Sequence, residues 1–195
     1  MNMKSLCVFC GSSHGNSTAF ADAARELGAS IAARGIELIY GGSHVGLMGV
    51  VADAALARGG KVTGVLPRFM ADKELAHTNL SRLYLVDTMH ERKQMMAKLS
   101  EGFVALPGGF GTLEEIFEAM TWAQLHLHGF PCALLNVDGY YDSLATFLKH
   151  TVDSSFVRRE QLDSLIVARS VDELFTRFAG YRPDTSEKWI PKKLI

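Results

Sequence analysis

The sequence predicts an α/β protein built on a doubly wound parallel sheet of about seven strands, with helices on both faces. Short, continuously apolar runs recur along the chain, as strands buried on both faces require. Each run is followed by a stretch with helical spacing of its apolar residues, and that alternation builds strand–helix–strand units. Glycine-rich turns stand where strands hand over to helices, the place where such sheets bind ligands.

The elements follow in order. Leu6 to Phe9 reads as a first strand, and an Ala-rich amphipathic helix runs from about Thr18 to Arg34, stopped by Gly35. Ile36 to Tyr40 is a second strand, broken by Gly41-Gly42-Ser43, and a helix from about Gly46 to Arg58 ends at Gly59-Gly60. Val62 to Leu66 is a third strand, closed by Pro67, and the polar stretch from Arg68 to Asn79 reads as a loop or short helix. Leu83 to Val86 leads into a helix from about His90 to Leu99, and Phe103 to Leu106 into one from about Leu113 to Leu125. Ala133 to Val137 and Leu165 to Ala168 are the last strands, with helices near Tyr141 to Asp153 and Val171 to Phe178. Residues 1–180 read as a single domain, and residues 181–195 as a polar tail interrupted by Pro183 and Pro191.

The bulk numbers narrow the classes. A chain of 195 residues that is 48% hydrophobic can bury a large core. With 20 Lys and Arg against 21 Asp and Glu, no basic excess exists to hold a polyanion, so nucleic acid is not an expected partner. No apolar stretch reaches membrane-spanning length, and the run before Cys10 is too short for a signal-peptide core. A cytoplasmic location follows as the expectation, and three cysteines suit a reducing compartment. Cys7 and Cys10 have C-x-x-C spacing, but residues three apart on a strand face opposite ways, which favours two buried thiols over a redox or zinc pair.

Two loops carry the chemistry. One is Gly41-Gly42-Ser43-His44-Val45-Gly46-Leu47-Met48-Gly49 after strand two. The other is Pro107-Gly108-Gly109-Phe110-Gly111-Thr112-Leu113-Glu114-Glu115 after strand five. Glycine brings bare N–H groups close to a ligand, and the following helix N-terminus favours an anion. No G-x-x-x-x-G-K-[ST] loop is present, and the first strand opens into Gly11-Ser12-Ser13-His14 rather than G-x-G-x-x-G. A P-loop phosphotransferase and a nicotinamide dehydrogenase therefore lose their signatures. Locally, Thr112-x-x-Glu115 reads as a capping box, and Arg92 as an exposed residue of a charged helix. Met89, Met95, Met96 and Leu99 read as core or subunit contact. His126 and His128 are two apart, which puts no pair on one helical face, so no metal site is expected.

At the two glycine loops the chain closely resembles the LOG (Lonely Guy) family of cytokinin riboside 5′-monophosphate phosphoribohydrolases. The pattern P-G-G-x-G-T-x-x-E is met by Pro107 through Glu115, and G-G-x-x-x-G-L-M-G by Gly41 through Gly49. Met89-His90-Glu91-Arg92-Lys93 and Thr121-Trp122-Ala123-Gln124-Leu125 are also similar to family segments. Ser43 stands where many members have a third glycine.

The resemblance implies a Rossmann-like homodimer that takes a small-molecule nucleoside 5′-monophosphate and releases free base and ribose 5-phosphate, often acting on AMP too. It implies Arg92 and Glu115 as catalytic residues. It implies substrate contacts at Glu74, Arg92, Lys93, Gly108, Gly109, Phe110, Gly111, Thr112, Leu113, Glu114, Glu115 and Thr121, with Gly42 and Ser43 from the first loop. The chemistry requires no metal or organic cofactor. Its expected core is a carboxylate that stabilises the positive charge developing on the ribose, with Arg92 holding Glu115 ionised. The competing expectation is a nucleotide-binding or carrier module of the same fold that cleaves nothing.

Overall fold

The computed structural model describes residues 3–71, 73 and 75–183 of the chain. Glu74 and residues 184–195 lie outside the described residues.

The strands are β1 (Ser5–Phe9), β2 (Glu37–Tyr40), β3 (Val62–Pro67), β4 (Arg82–Val86), β5 (Phe103–Ala105), β6 (Cys132–Leu135) and β7 (Leu165–Ala168). They form one seven-stranded sheet in the order β4-β3-β2-β1-β5-β6-β7, every pair parallel. The longer helices are α1 (Thr18–Ala33), α2 (Gly46–Ala57), α4 (Met89–Lys98), α5 (Phe110–Gln124), α6 (Asp142–Asp153) and α8 (Val171–Gly180). Short helices α3 (Arg68–Ala71) and α7 (Arg159–Asp163) and a 3-10 turn, Val137–Gly139, complete the order.

Alternation along each strand divides the core into two layers. Leu6 and Val8 of β1 pack with Ala24, Leu27 and Ile31 of α1 and Val51 and Ala55 of α2. Cys7 and Phe9 point the other way, into a layer with Met96 of α4 and Ile116 and Met120 of α5. Cys7 and Cys10 fall in opposite layers, both buried and free, as strand geometry requires of residues three apart. Burying each large aliphatic side chain contributes about 1.5–3 kcal/mol, so the two layers fix the sheet firmly.

The chain winds from β1 outward through β2, β3 and β4, then returns to β5 on the other side of β1. The loops after β1 and β5 therefore leave in opposite directions and open a crevice at the carboxyl edge, the switch point of such sheets. Phe9 pairs with Ala105 at that edge.

Two helices differ from the sequence reading. α5 starts at Phe110 rather than near Leu113, with Gly109 as its N-cap. Glycine disfavours a helix interior, but at the first turn little intrahelical bonding is lost, so the helix begins inside the glycine motif. α7 fills a segment left unassigned, since five residues are too few to show a period.

Candidate functional site

The crevice holds a cavity of about 180 Å³ lined by residues from β1, the loop after β2, α4 and the start of α5. Its polar wall is Ser12, Gly41, Arg92, Gly111, Thr112 and Glu115, and Met48, Met70, Met89 and Met96 supply much of its apolar wall.

Arg92 is 7% exposed, not the solvated helix residue its charged neighbours imply. It lies one turn into α4, whose N-cap Thr88 accepts from the Glu91 amide at 3.1 Å. A cation there opposes the helix dipole, so its burial needs strong partners. Among the described residues it has three: Nε donates to the Val65 carbonyl at 3.1 Å, Nη2 to the Gly41 carbonyl at 3.4 Å, and Nη1 to Glu115 Oε1 at 2.9 Å. One guanidinium thereby ties the ends of β2 and β3 to α5, a task suited to its planar fork of donors. Gly41 must be glycine because a Cβ there would stand 1.9 Å from Nη2.

Glu115 is held by that ion pair, its side chain 11% exposed. It does not close a capping box, because Thr112 is a buried residue inside α5 rather than its N-cap. Burial pushes the Glu115 carboxyl above the usual carboxylate range, and the pull of Arg92 only partly offsets it. The neighbouring guanidinium thus does not bring the group down to an ordinary value, as the sequence argument expected.

The start of α5 presents amides that the helix itself does not bond. Its helical ladder begins with Leu113 N–H on the Gly109 carbonyl at 3.1 Å, so the amides of Phe110, Gly111 and Thr112 precede it. A Cβ at Gly109 or at Gly111 would meet nothing within 4 Å, which leaves the approach to those amides clear. Gly108 is different: a Cβ there would press on Thr112 Oγ1 at 2.1 Å, so this glycine lets the loop fold back on its own helix. Glu115 lies about 5 Å further along the axis than Thr112, at 1.5 Å per residue.

The other expected contacts divide. Phe110 is 94% exposed at the rim and Leu113 packs into the core below. Lys93 does not line the cavity: its Nζ binds Glu114 and, at 3.1 Å, Glu118, clasping α4 to α5. Burial opposes its charge, but those two carboxylates prevail and raise its pKa. Thr121 lies further down α5, exposed, donating to the Phe117 carbonyl at 2.7 Å. From the first glycine loop Gly41 and Met48 reach the cavity, and Gly42 and Ser43 are not among its lining residues. Gly42 accepts from the His77 amide at 3.0 Å, and buried Ser43 bridges to Ala76. The amides of His44, Val45 and Leu47 are bonded to Leu75, Ser43 and Gly11. Those three donors are engaged within the protein, and the Gly41 carbonyl of the same loop serves Arg92. Reasoning from sequence missed Cys10, Met48 and Met70 in the wall; Cys10 was readable from its place at the end of β1.

Over residues 48–178 the chain matches the sequence model of a family described as possible lysine decarboxylase. It is 44% identical over 180 residues, 92% of this chain and 79% of the relative, to cytokinin riboside 5′-monophosphate phosphoribohydrolase LOG5 of Arabidopsis thaliana. It is 45% identical over 180 residues, 92% of this chain and 85% of the relative, to probable cytokinin riboside 5′-monophosphate phosphoribohydrolase LOGL3 of Oryza sativa subsp. japonica. The chain belongs to the LOG family.

The fold of this LOG chain is shared more widely. The molybdenum cofactor carrier protein of Chlamydomonas reinhardtii superposes with a TM-score of 0.68 at 21% identity, covering 91% of this chain and 96% of that one. Identity that low speaks for the Rossmann-like sheet alone. The LOG matches rest on sequence, and the matched span includes Arg92, Glu115 and the whole second glycine motif.

Proposed function

We propose that this chain hydrolyses the N-glycosidic bond of cytokinin riboside 5′-monophosphates, and of AMP, releasing free base and ribose 5-phosphate. The observation that carries the proposal is one buried carboxylate, Glu115, held by Arg92 beside an open helix N-terminus. The amides of Phe110, Gly111 and Thr112 receive the 5′-phosphate, where the helix dipole favours negative charge. The short axial step from Thr112 to Glu115 suits the reach from a 5′-phosphate to the anomeric carbon. Fixing the ribose there converts much of the binding energy into orientation.

As the bond to the base breaks, positive charge builds on the ribose, and the ionised Glu115 stabilises it at short range. A water oxygen joins the anomeric carbon; one of its protons balances the departing base and the other stays on the new hydroxyl. Arg92 aims the carboxylate. The methionine wall offers an adaptable apolar surface to a planar base. Glu74 and Thr121 remain candidates from the family pattern and have no step in this scheme.

Two further readings belong here. Phe110, next in sequence to Gly111 of the cavity wall, is 94% exposed and Met89 of that wall 41% exposed, apolar surface that a second copy of the chain would cover, so the working form is a homodimer. Free buried Cys7, Cys10 and Cys132 suit the reducing cytoplasm. No helix among the described residues is long and apolar enough to cross a membrane.

The test is chromatography of released base after incubation with AMP, N6-isopentenyl-AMP and the two matching nucleosides. The monophosphates should be cleaved and the nucleosides left intact. Equal cleavage of nucleosides refutes the phosphate anchor, and binding of every monophosphate without base release favours a carrier.

A further inference from the structure

We infer that Tyr140 and Tyr141 are positioning residues that hold carbonyls of the Leu106–Gly109 loop away from the bound phosphate, Tyr140 thereby turning the Gly109 amide toward it. The inference rests on the reading of the α5 N-terminus as the phosphate site. Neither tyrosine touches the cavity beside Glu115.

A peptide loop can cradle an anion only if its carbonyl oxygens are kept away from it, because each carries a partial negative charge. Here four successive carbonyls are occupied. Tyr141 Oη donates to the Leu106 carbonyl at 2.7 Å, and the Gly11 amide to the Pro107 carbonyl at 3.1 Å. Tyr140 Oη donates to the Gly108 carbonyl at 2.7 Å, and the Leu113 amide to the Gly109 carbonyl at 3.1 Å. Two of those four donors come from neighbouring tyrosines on a different loop. Gly108 and Gly109 could otherwise flip their peptides at little steric cost.

The loop that delivers the tyrosines is itself fixed. Consecutive side chains ordinarily diverge, yet these rings meet edge to face with centroids 4.9 Å apart. The backbone reaches that arrangement through Asp138 at φ 50° and Gly139 at φ 74°, both in the left-handed region. Buried Asn136 secures it, accepting from the Tyr141 amide at 2.7 Å and donating to Asp142 at 2.7 Å. The Tyr140 ring also meets Phe20 of α1 edge to face at 5.6 Å. A tyrosine is not required for that ring contact, so among the described residues the Tyr140 hydroxyl has one visible task, the Gly108 carbonyl.

Tyr140→Phe keeps the ring contacts and removes that hydroxyl, and Tyr140 is 44% exposed, so the fold should be unaffected. Titration calorimetry with ribose 5-phosphate and steady-state kinetics on AMP decide the matter. The expected result is about a tenfold rise in both the ribose 5-phosphate Kd and the AMP KM, with kcat within about twofold and Tm unchanged. Tyr141→Phe should raise both constants and also lower Tm, because it leaves the buried Leu106 carbonyl without its donor. Wild-type protein that binds ribose 5-phosphate while Tyr140→Phe binds it equally well overturns the inference. So does a fall in kcat and Tm with no change in Kd, the signature of packing alone. Wild-type protein that binds no ribose 5-phosphate overturns the phosphate site, and the inference with it, so the two failures are told apart.

Discussion

Gly41→Ala adds one methyl group outside the motif that carries Glu115, and it should nearly abolish turnover. The new Cβ would stand 1.9 Å from Arg92 Nη2, 3.1 Å from Cζ and 3.2 Å from Met48 Sδ, where ordinary contact begins at 3.4 Å. Relief to ordinary contact requires the guanidinium to retreat by about 1.5 Å, because its Nη2 is the nearest atom to the new methyl. A shift of that size breaks the bond to the Gly41 carbonyl, already 3.4 Å long, and pulls Nη1 away from Glu115, now 2.9 Å distant. Gly41 has no positive φ, so alanine meets no backbone penalty and the effect isolates the clash. Displacing a positioning group by about 1 Å costs about 100-fold in rate, equivalent to about 2.7 kcal/mol of barrier. Overpacking should also remove about 1–3 kcal/mol of stability. Base release from AMP and a urea melt on the same preparation give both numbers. Folded Gly41→Ala with wild-type kcat would refute the argument, since it would mean that Arg92 can leave Glu115 without consequence.

Two other outcomes follow from the same geometry. Glu115→Gln keeps an acceptor for Arg92 Nη1 but removes the charge facing the ribose, so kcat should fall at least about 100-fold with the fold intact; normal turnover with lost stability would restore the capping role. The rate should fall as pH drops through the Glu115 pKa, because protonation deletes the stabilising charge. Burial raises that pKa, so the acid limb of kcat against pH should lie above the ordinary glutamate value of about 4.3, and a limb at or below it would contradict the burial argument.

The sheet was legible because each strand announces itself locally. Val62 to Leu66 and Leu165 to Ala168 are short apolar runs bounded by turn residues, and their neighbours in space need not be known. The site was legible only as motifs. Nothing near Arg92 in sequence reveals that it is buried, since Glu91, Lys93 and Lys98 surround it with charge. Its carbonyl partners Val65 and Gly41 lie 27 and 51 residues away, brought to it by parallel strand pairing. The two glycine loops look alike on paper for a similar reason. The segment around Leu75 to His77, far off in sequence, bonds to the first loop at Gly42 and His44. The capping-box reading failed because it assumed a helix start beyond the glycines, whereas Gly109 is the N-cap.

Arg92 explains why the two glycine motifs occur together. A buried guanidinium must find several acceptors or it destabilises the fold, and two of its three are main-chain carbonyls with no net charge to offer. Among the described residues Glu115 is therefore the one counter-charge bonded to it, and the ion pair holds the carboxylate where the second motif presents its amides. Only a glycine at position 41 lets the cation lie flat enough to reach all three partners at once. The first motif thus acts on the reaction through Arg92, by setting where Glu115 can stand, while the second supplies both the anion site and the charge. A lysine in place of Arg92 could neutralise Glu115 but not reproduce the fork that joins β2, β3 and α5. Geometry rather than charge alone is what the residue provides.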